Sequence, residues 1–165
     1  MSEGKLLKPD QDFSAIVEAE LPAISQLPLQ QALERLSVLE KQTRQASDAV
    51  STKRILVKAV QLCAESNDWD VLNDQLLAFS KKHGQLKAAA QGMVAECWNL
   101  LRSKNWEQEG KVDKRNNLIE TLRVITEGKV FPCFIVVMLT IGICGGREGS
   151  SDEIFISDFG EFDSS

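Results

Sequence analysis

Apolar residues recur at every third or fourth position from residue 11 to about residue 127. This period matches the α-helix, so each segment places its apolar side chains on one face and its charged side chains on the others. Segment 27–44 is the clearest case: Leu29, Leu33, Leu36 and Leu39 share a face, and Glu34, Arg35, Glu40 and Lys41 are charged. We therefore expect the carboxylates of these segments to lie on solvated faces.

Five segments with this period predict five long helices. They span residues 27–44, 51–66, 67–84, 85–103 and 111–128. A short first helix is expected around residues 13–20, broken by Pro22, because proline cannot donate a helical hydrogen bond. The links between segments are short, so consecutive helices should run antiparallel. The predicted fold is all-α, an antiparallel stack of five to six helices of the α-solenoid type, similar to tetratricopeptide repeats, within residues 11–129.

Local signals predict where several helices begin and end. Ser51 or Thr52 is a candidate N-cap, because a side-chain oxygen can accept a free N–H of the first turn. Asn67 or Asp68 can cap the next helix in the same way. Gly84 should end that helix, because glycine adopts a left-handed conformation with little steric cost.

Two tryptophans stand in similar surroundings, in the stretches "ESNDWD" and "RSKNWE". Trp69 and Trp106 are 37 residues apart, which is close to the period of repeats built from helix pairs. Two copies leave both a true repeat and a chance likeness open.

The charges limit the kinds of partner. Eighteen acidic and eighteen basic residues precede Val130, so this part of the chain is neutral. A neutral body argues against nucleic-acid binding, which depends on a basic surface. Lys53 and Arg54, together with Lys81 and Lys82, form either part of an ordinary mixed surface or a docking patch for an acidic partner.

No residue pattern indicates an enzyme, a metal site or a cofactor. His83 is the sole histidine, so any histidine-based catalysis would depend on it alone. It is better explained as a cation near the end of a helix. Cys63 and Cys97 fall on apolar helix faces and are predicted to be core thiols. The four cysteines form no CxxC pair, which favours reduced thiols in a cytosolic or nuclear protein.

The two ends of the chain differ from its helical body. Residues 1–10 are expected to be flexible and contain no apolar run of the kind found in signal peptides. Residues 130–146 carry no charge, and their β-branched content favours a strand over a membrane anchor. Residues 147–165 are acidic and are expected to be disordered. The glycines at 142, 145, 146 and 149 lack the spacing of a nucleotide-binding loop.

Three blocks of sequence resemble a known family. They are "VLEKQTRQASDAVSTKRIL" at 38–56, "WDVLNDQLLAFSKKHGQLKAA" at 69–89 and "LIETLRVITEGKVF" at 118–131. Together they resemble the family of non-ATPase regulatory subunit 12 of the 26S proteasome lid. A weaker resemblance is to subunit four of the COP9 signalosome. No single short motif carries the likeness, which covers most of residues 12–131.

The resemblance implies a scaffold of the proteasome lid. Family members carry an N-terminal stack of helical repeats, a PCI module that ends in a winged helix, and a C-terminal helix. They contact other lid and base subunits in ubiquitin-dependent protein degradation, while a different, metal-dependent lid subunit cleaves ubiquitin. The resemblance therefore implies a non-catalytic protein of the cytoplasm and nucleus, without a cofactor or a small-molecule substrate.

The likeness stops near residue 131. The family would continue there with a charged helix, whereas this chain continues with "PCFIVVMLTIGIC". A retained intron or a faulty gene model would explain the change, and the PCI module is expected to be missing. Without it, we expect that the chain does not assemble stably into the lid. A tail-anchored helical adaptor is the alternative reading of the apolar segment.

Overall fold

The computed structural model describes residues 11–127 and folds them into six helices. The helices are α1 (Ser14–Ile24), α2 (Leu29–Gln45), α3 (Ala49–Glu65), α4 (Trp69–Lys81), α5 (Lys87–Ser103) and α6 (Val112–Thr126). No strand occurs in this range, and the prediction of an all-α helical stack is confirmed. The expectations for residues 1–10, 130–146 and 147–165 fall outside the described residues.

Helix α3 lies at the centre of the packing. It contacts α1, α2, α4 and α5, and α6 packs on α4. The apolar stripes predicted from the sequence meet in these contacts and form a mainly aliphatic core, in which the aromatic Phe79 is the largest fully buried side chain. Within residues 11–127, no helix combines the length and the apolar character needed to cross a membrane.

The links that follow α2 and α3 have the same geometry. Ser47 has a φ of 58° and Asn67 a φ of 59°, the left-handed conformation that closes a helix. In each link the next N–H, from Asp48 or Asp68, bonds to the carbonyl five residues earlier, at 2.9 and 3.1 Å. The two bends are therefore tight and closely similar, and they set α3 and α4 back against the preceding helix.

The same two aspartates cap the helices that follow. Asp48 accepts the N–H of Ser51 at 3.0 Å, and Asp68 accepts the N–H of Val71 at 3.2 Å. The cap predicted at Asn67 or Asp68 is thus Asp68. The cap predicted at Ser51 or Thr52 was wrong, because α3 begins earlier and both residues lie inside it. The Thr52 hydroxyl instead bonds back to the Asp48 carbonyl at 2.7 Å.

The two tryptophans with similar sequence surroundings touch each other. The ring centroids of Trp69 and Trp106 are 4.6 Å apart and the rings meet edge to face. The Trp69 ring donates its N–H to Asn67, and the Trp106 ring donates to the Leu101 carbonyl. Their backbones differ, since Trp69 begins α4 whereas Trp106 precedes α6 in a separate turn closed by Gly110 at φ 65°.

Two predicted helix ends were wrong in position. Helix α1 continues past Pro22 to Ile24, because one missing donor weakens a helix without breaking its last turn, where the Ser25 N–H still bonds to the Leu21 carbonyl at 3.0 Å. Gly84 does have a φ of +73°, but α4 has already ended at Lys81. Gly84 therefore bends the link between α4 and α5.

Four large apolar side chains that continue the periodic stripes are not fully buried. Leu29, Leu86 and Trp98 are half-buried, and Val112 is exposed. Three of them stand at the very start of a helix, as the first residue or the cap, where the apolar stripe has not yet met its neighbour.

Candidate protein-binding surface

The residues considered for catalysis do not form a reactive site. His83 lies exposed in the link between α4 and α5, and its backbone carbonyl accepts a hydrogen bond from Arg44 at 2.6 Å. In residues 11–127, no three His, Cys, Asp or Glu side chains are grouped so that they could hold a metal ion. Among the described residues, His83 is thus an exposed residue of this link and belongs to no group that could hold a metal ion.

Cys63 on α3 and Cys97 on α5 are both buried, as the sequence predicted. Burial, together with the nearby charge of Asp68, raises the pKa of Cys63 to about 12. Burial also raises the pKa of Cys97, with smaller contributions from Glu96 and Cys63. Both thiols are therefore protonated at neutral pH and act as small apolar side chains, because the nucleophile is the thiolate.

The prediction that the carboxylates face solvent was wrong for Asp48, which is 4% exposed, and for Glu40. The Glu40 side chain is completely buried, with one oxygen 2.9 Å from Arg44 Nε and the other 2.7 Å from Lys82 Nζ. Gln85 also donates to it, at 3.1 Å. A charge this deep requires such partners. The signal was present in the spacing, since Glu40 follows Leu33 and Leu36 at the intervals that define the buried face.

The two basic pairs do not combine into one free patch. Lys53, Arg54 and Lys81 are exposed, but the ammonium of Lys82 is bound to Glu40. The stem of Lys53 lies across α5 at Gly92, where a Cβ would come within 2.6 Å of it. This arrangement supports the reading of an ordinary mixed surface over that of a basic docking patch.

The outer side of α2 carries an open groove of about 330 Å³. We call its lining the α2 stripe, which consists of Leu27, Gln31, Glu34, Arg35 and Val38. Leu27 lies in the link before α2, and the other four follow the helical period on the side of α2 opposite its buried residues. Val38, at the middle of α2, is 58% exposed. The groove offers aliphatic contacts flanked by one acid and one base.

Aliphatic side chains beside a carboxylate, a guanidinium and an amide suit contact with another protein chain. Other large apolar side chains are also exposed, at Ile16, Val50, Val112 and Val124. The α2 stripe lies in a concave part of the surface. It is therefore our candidate for a binding surface among the described residues.

Comparison with known proteins identifies relatives along most of the chain. A sequence model of the family described as "PSMD12/CSN4, N-terminal" matches residues 31–132. The 26S proteasome regulatory subunit RPN5 of Saccharomyces cerevisiae is 45% identical over 134 residues, covering 79% of this chain and 29% of that protein. The 26S proteasome regulatory subunit rpn501 of Schizosaccharomyces pombe is 35% identical over 127 residues, covering 75% and 28%.

A third relative is the 26S proteasome non-ATPase regulatory subunit 12 of Dictyostelium discoideum. It is 34% identical over 128 residues, covering 75% of this chain and 28% of that protein. The chain thus spans less than a third of the length of these relatives. The matched region contains α3 to α6 and nearly all of α2. On the extent of this match, the chain belongs to the PSMD12/CSN4 N-terminal family.

Proposed function

We propose that this chain is a non-catalytic scaffold module of the 26S proteasome regulatory-particle lid, which binds other lid and base subunits through its helical surface. The observation that carries the proposal is the continuous family match, because the matching relatives are named as regulatory subunits of the 26S proteasome. The module would serve ubiquitin-dependent protein degradation in the cytoplasm and nucleus.

The chemistry of the described residues supports a binding role over a catalytic one. The buried thiols are held protonated, and the sole histidine lies exposed on a link. Of the two buried carboxylates in the described residues, Asp48 caps α3 and Glu40 bridges α2 to the link after α4. What the helices present outward is a mixed surface with the α2 stripe as its concave apolar part, and we propose that a partner subunit binds there.

A pairwise binding assay tests the proposal. The full chain would be immobilised and challenged with purified lid and base subunits, and retention of at least one of them is expected. Val38→Glu should weaken binding because it places a charge among the aliphatic contacts of the groove. We expect at least a tenfold loss of retention, which equals about 1.4 kcal/mol of binding free energy. Val124→Glu is the matched control, because Val124 is 53% exposed on α6 and outside the groove.

Failure of every proteasome subunit to bind would reject the function, and equal loss in both valine variants would reject the α2 stripe as the site. A second candidate is a scaffold role in the COP9 signalosome, because the family description names CSN4 beside PSMD12. The same assay with purified signalosome subunits separates the two. Retention of signalosome subunits alone would favour the second candidate.

A further inference from the structure

The packing between alternate helices has one weak place. Helices α1 and α3, α3 and α5, and α4 and α6 pack directly on each other. Among the described helices, α2 and α4 lack packing of this extent. The connection from α2 toward the end of α4 is instead made by polar side chains that reach the link at residues 82–86.

One buried carboxylate organises this connection. Glu40, at 0% exposure, takes hydrogen bonds from Lys82 at 2.7 Å and from Gln85 at 3.1 Å, both in the link, and from Arg44 at 2.9 Å. Arg44 in turn donates to the His83 carbonyl at 2.6 Å. We call these four side chains, Glu40, Arg44, Lys82 and Gln85, the Glu40 clasp. Three successive contacts along the link thus depend on charges held by α2.

Outside the clasp, the link is held by a few hydrogen bonds. The Gln85 amide also donates to the Phe79 carbonyl at 2.9 Å, and its oxygen accepts the Leu86 N–H at 3.1 Å. The backbone bonds from Lys82 N–H to the Phe79 carbonyl and from Gln85 N–H to the Lys82 carbonyl are long, at 3.4 and 3.3 Å. His83 and Gly84 are exposed, so they bury no apolar surface that would fix the link. The Lys82 ammonium also donates to Ser37 on α2 at 3.3 Å and lies 4.6 Å from the centre of the Phe79 ring, a contact that requires its positive charge.

We infer that residues 82–86 form a strap that the Glu40 clasp holds closed on α2, and that loss of either central charge opens the strap while the six helices stay folded. Without the Glu40 charge, Lys82 and Arg44 turn to solvent, since both side chains are already partly exposed. Without the Lys82 charge, Glu40 loses its shortest contact with the link. The helices keep their apolar core in both cases.

Nuclear magnetic resonance relaxation of the full chain tests the strap. The variants are Glu40→Gln and Lys82→Gln, with Glu34→Gln and Lys81→Gln as controls on exposed neighbours of the same charge. In the unaltered chain the backbone order parameters of residues 83–85 should approach 0.85, as in the helices, and in both clasp variants they should fall below about 0.6. The controls and Lys82→Arg should keep the original values.

Two results would overturn the inference. Order parameters at residues 83–85 that stay at helix values in both clasp variants would show that the clasp does not hold the link. A parallel fall in α4 and α5 would show that the clasp stabilises the whole fold instead of a local strap. Lys82→Gln is the milder change and remains informative if Glu40→Gln prevents folding.

Discussion

Asp48 holds two elements with one side chain. One carboxylate oxygen accepts the Ser51 N–H at the start of α3, and the other accepts the Phe13 N–H before α1, each at 3.0 Å. Among the described residues, the Asp68 carboxylate in the equivalent link makes the capping bond to Val71 without a second bond of this kind. The two aspartates therefore share a local geometry, and Asp48 adds a contact with a residue 35 positions away.

We predict that Asp48→Ala lowers the free energy of unfolding by about 2–3 kcal/mol, since it removes a cap worth about 1 kcal/mol and a second bond to a charged acceptor. Asp68→Ala should cost about 1 kcal/mol, because it removes the cap alone. Urea denaturation measures both changes. Equal costs for the two variants would show that the contact with Phe13 adds nothing to stability.

Acid should weaken the Asp48 contribution. Burial opposes ionisation of this carboxyl group, but the hydrogen bonds from Ser51 and Phe13 outweigh it and leave the pKa of Asp48 below its ordinary value of 3.8. A depressed folded-state pKa adds stability above the ordinary value, and this stability is lost as the pH falls through the folded-state pKa. The stability difference between the unaltered chain and Asp48→Asn should therefore shrink as urea titrations go below about pH 4. A constant difference would contradict the assignment.

Because Gly92 has no side chain, the side chain of Lys53 can pack directly against α5. The stem of Lys53 occupies the space where a Cβ would stand, with carbons within 2.6 Å of it. Gly92 lies inside α5, where alanine would normally add about 1 kcal/mol. We predict that Gly92→Ala stabilises by about this amount in a Lys53→Ala background and clearly less in the unaltered chain. Thermal unfolding of the four proteins measures the coupling, and the same gain in both backgrounds would disprove it.

The buried position of Glu40 could be read from spacing but not from residue type. It continues the interval of Leu33 and Leu36, yet a carboxylate is normally assigned to solvent. Its partners Lys82 and Gln85 lie more than 40 positions away. A single sequence does not pair residues at that separation, so the partners that make the burial of Glu40 possible could be found only from the tertiary structure.

At the scale of helices, the apolar period predicted which segments are helical. The residues in the links determined where each helix begins and ends. Helices α2 to α6 lie close to the predicted segments because each carries a continuous stripe of Leu, Ile, Val or Ala. The start of α3 was misplaced because Asp48 competes with Ser51 and Thr52 for the cap and stands earlier in the chain. Both left-handed links use Ser47 and Asn67 instead of glycine, which a search for glycine does not find.

The contact between Trp69 and Trp106 joins the start of α4 to the link after α5. We expect a coupling of about 1 kcal/mol in a double-mutant cycle with Trp69→Leu and Trp106→Leu, in the range found for aromatic pairs. Urea denaturation of the single and double variants gives the coupling energy. Additive losses would mean that each ring stabilises only its own link, through its bond to Asn67 or to Leu101.

Across the whole molecule, the stack and its family could be predicted, whereas the proposed binding surface could not. The stack follows from five periodic segments joined by short links, which leave few alternatives. The α2 stripe depends on which side of α2 stays uncovered once α1 and α3 have packed against it. Which face of a helix stays exposed is determined by the packing of all the helices together, so a single helix segment does not reveal it.

The two buried thiols report on the stability of the whole stack. Because Cys63 and Cys97 lie inside the packed helices α3 and α5, with their pKa values raised by burial, they cannot react until these helices separate. We predict that a thiol reagent at neutral pH labels both at one rate, which rises exponentially as urea lowers the free energy of unfolding. Peptide mass spectrometry distinguishes these sites from Cys133 and Cys144. Asp48→Ala should accelerate labelling of both thiols equally, whereas acceleration of Cys63 alone would show that α3 opens without α5.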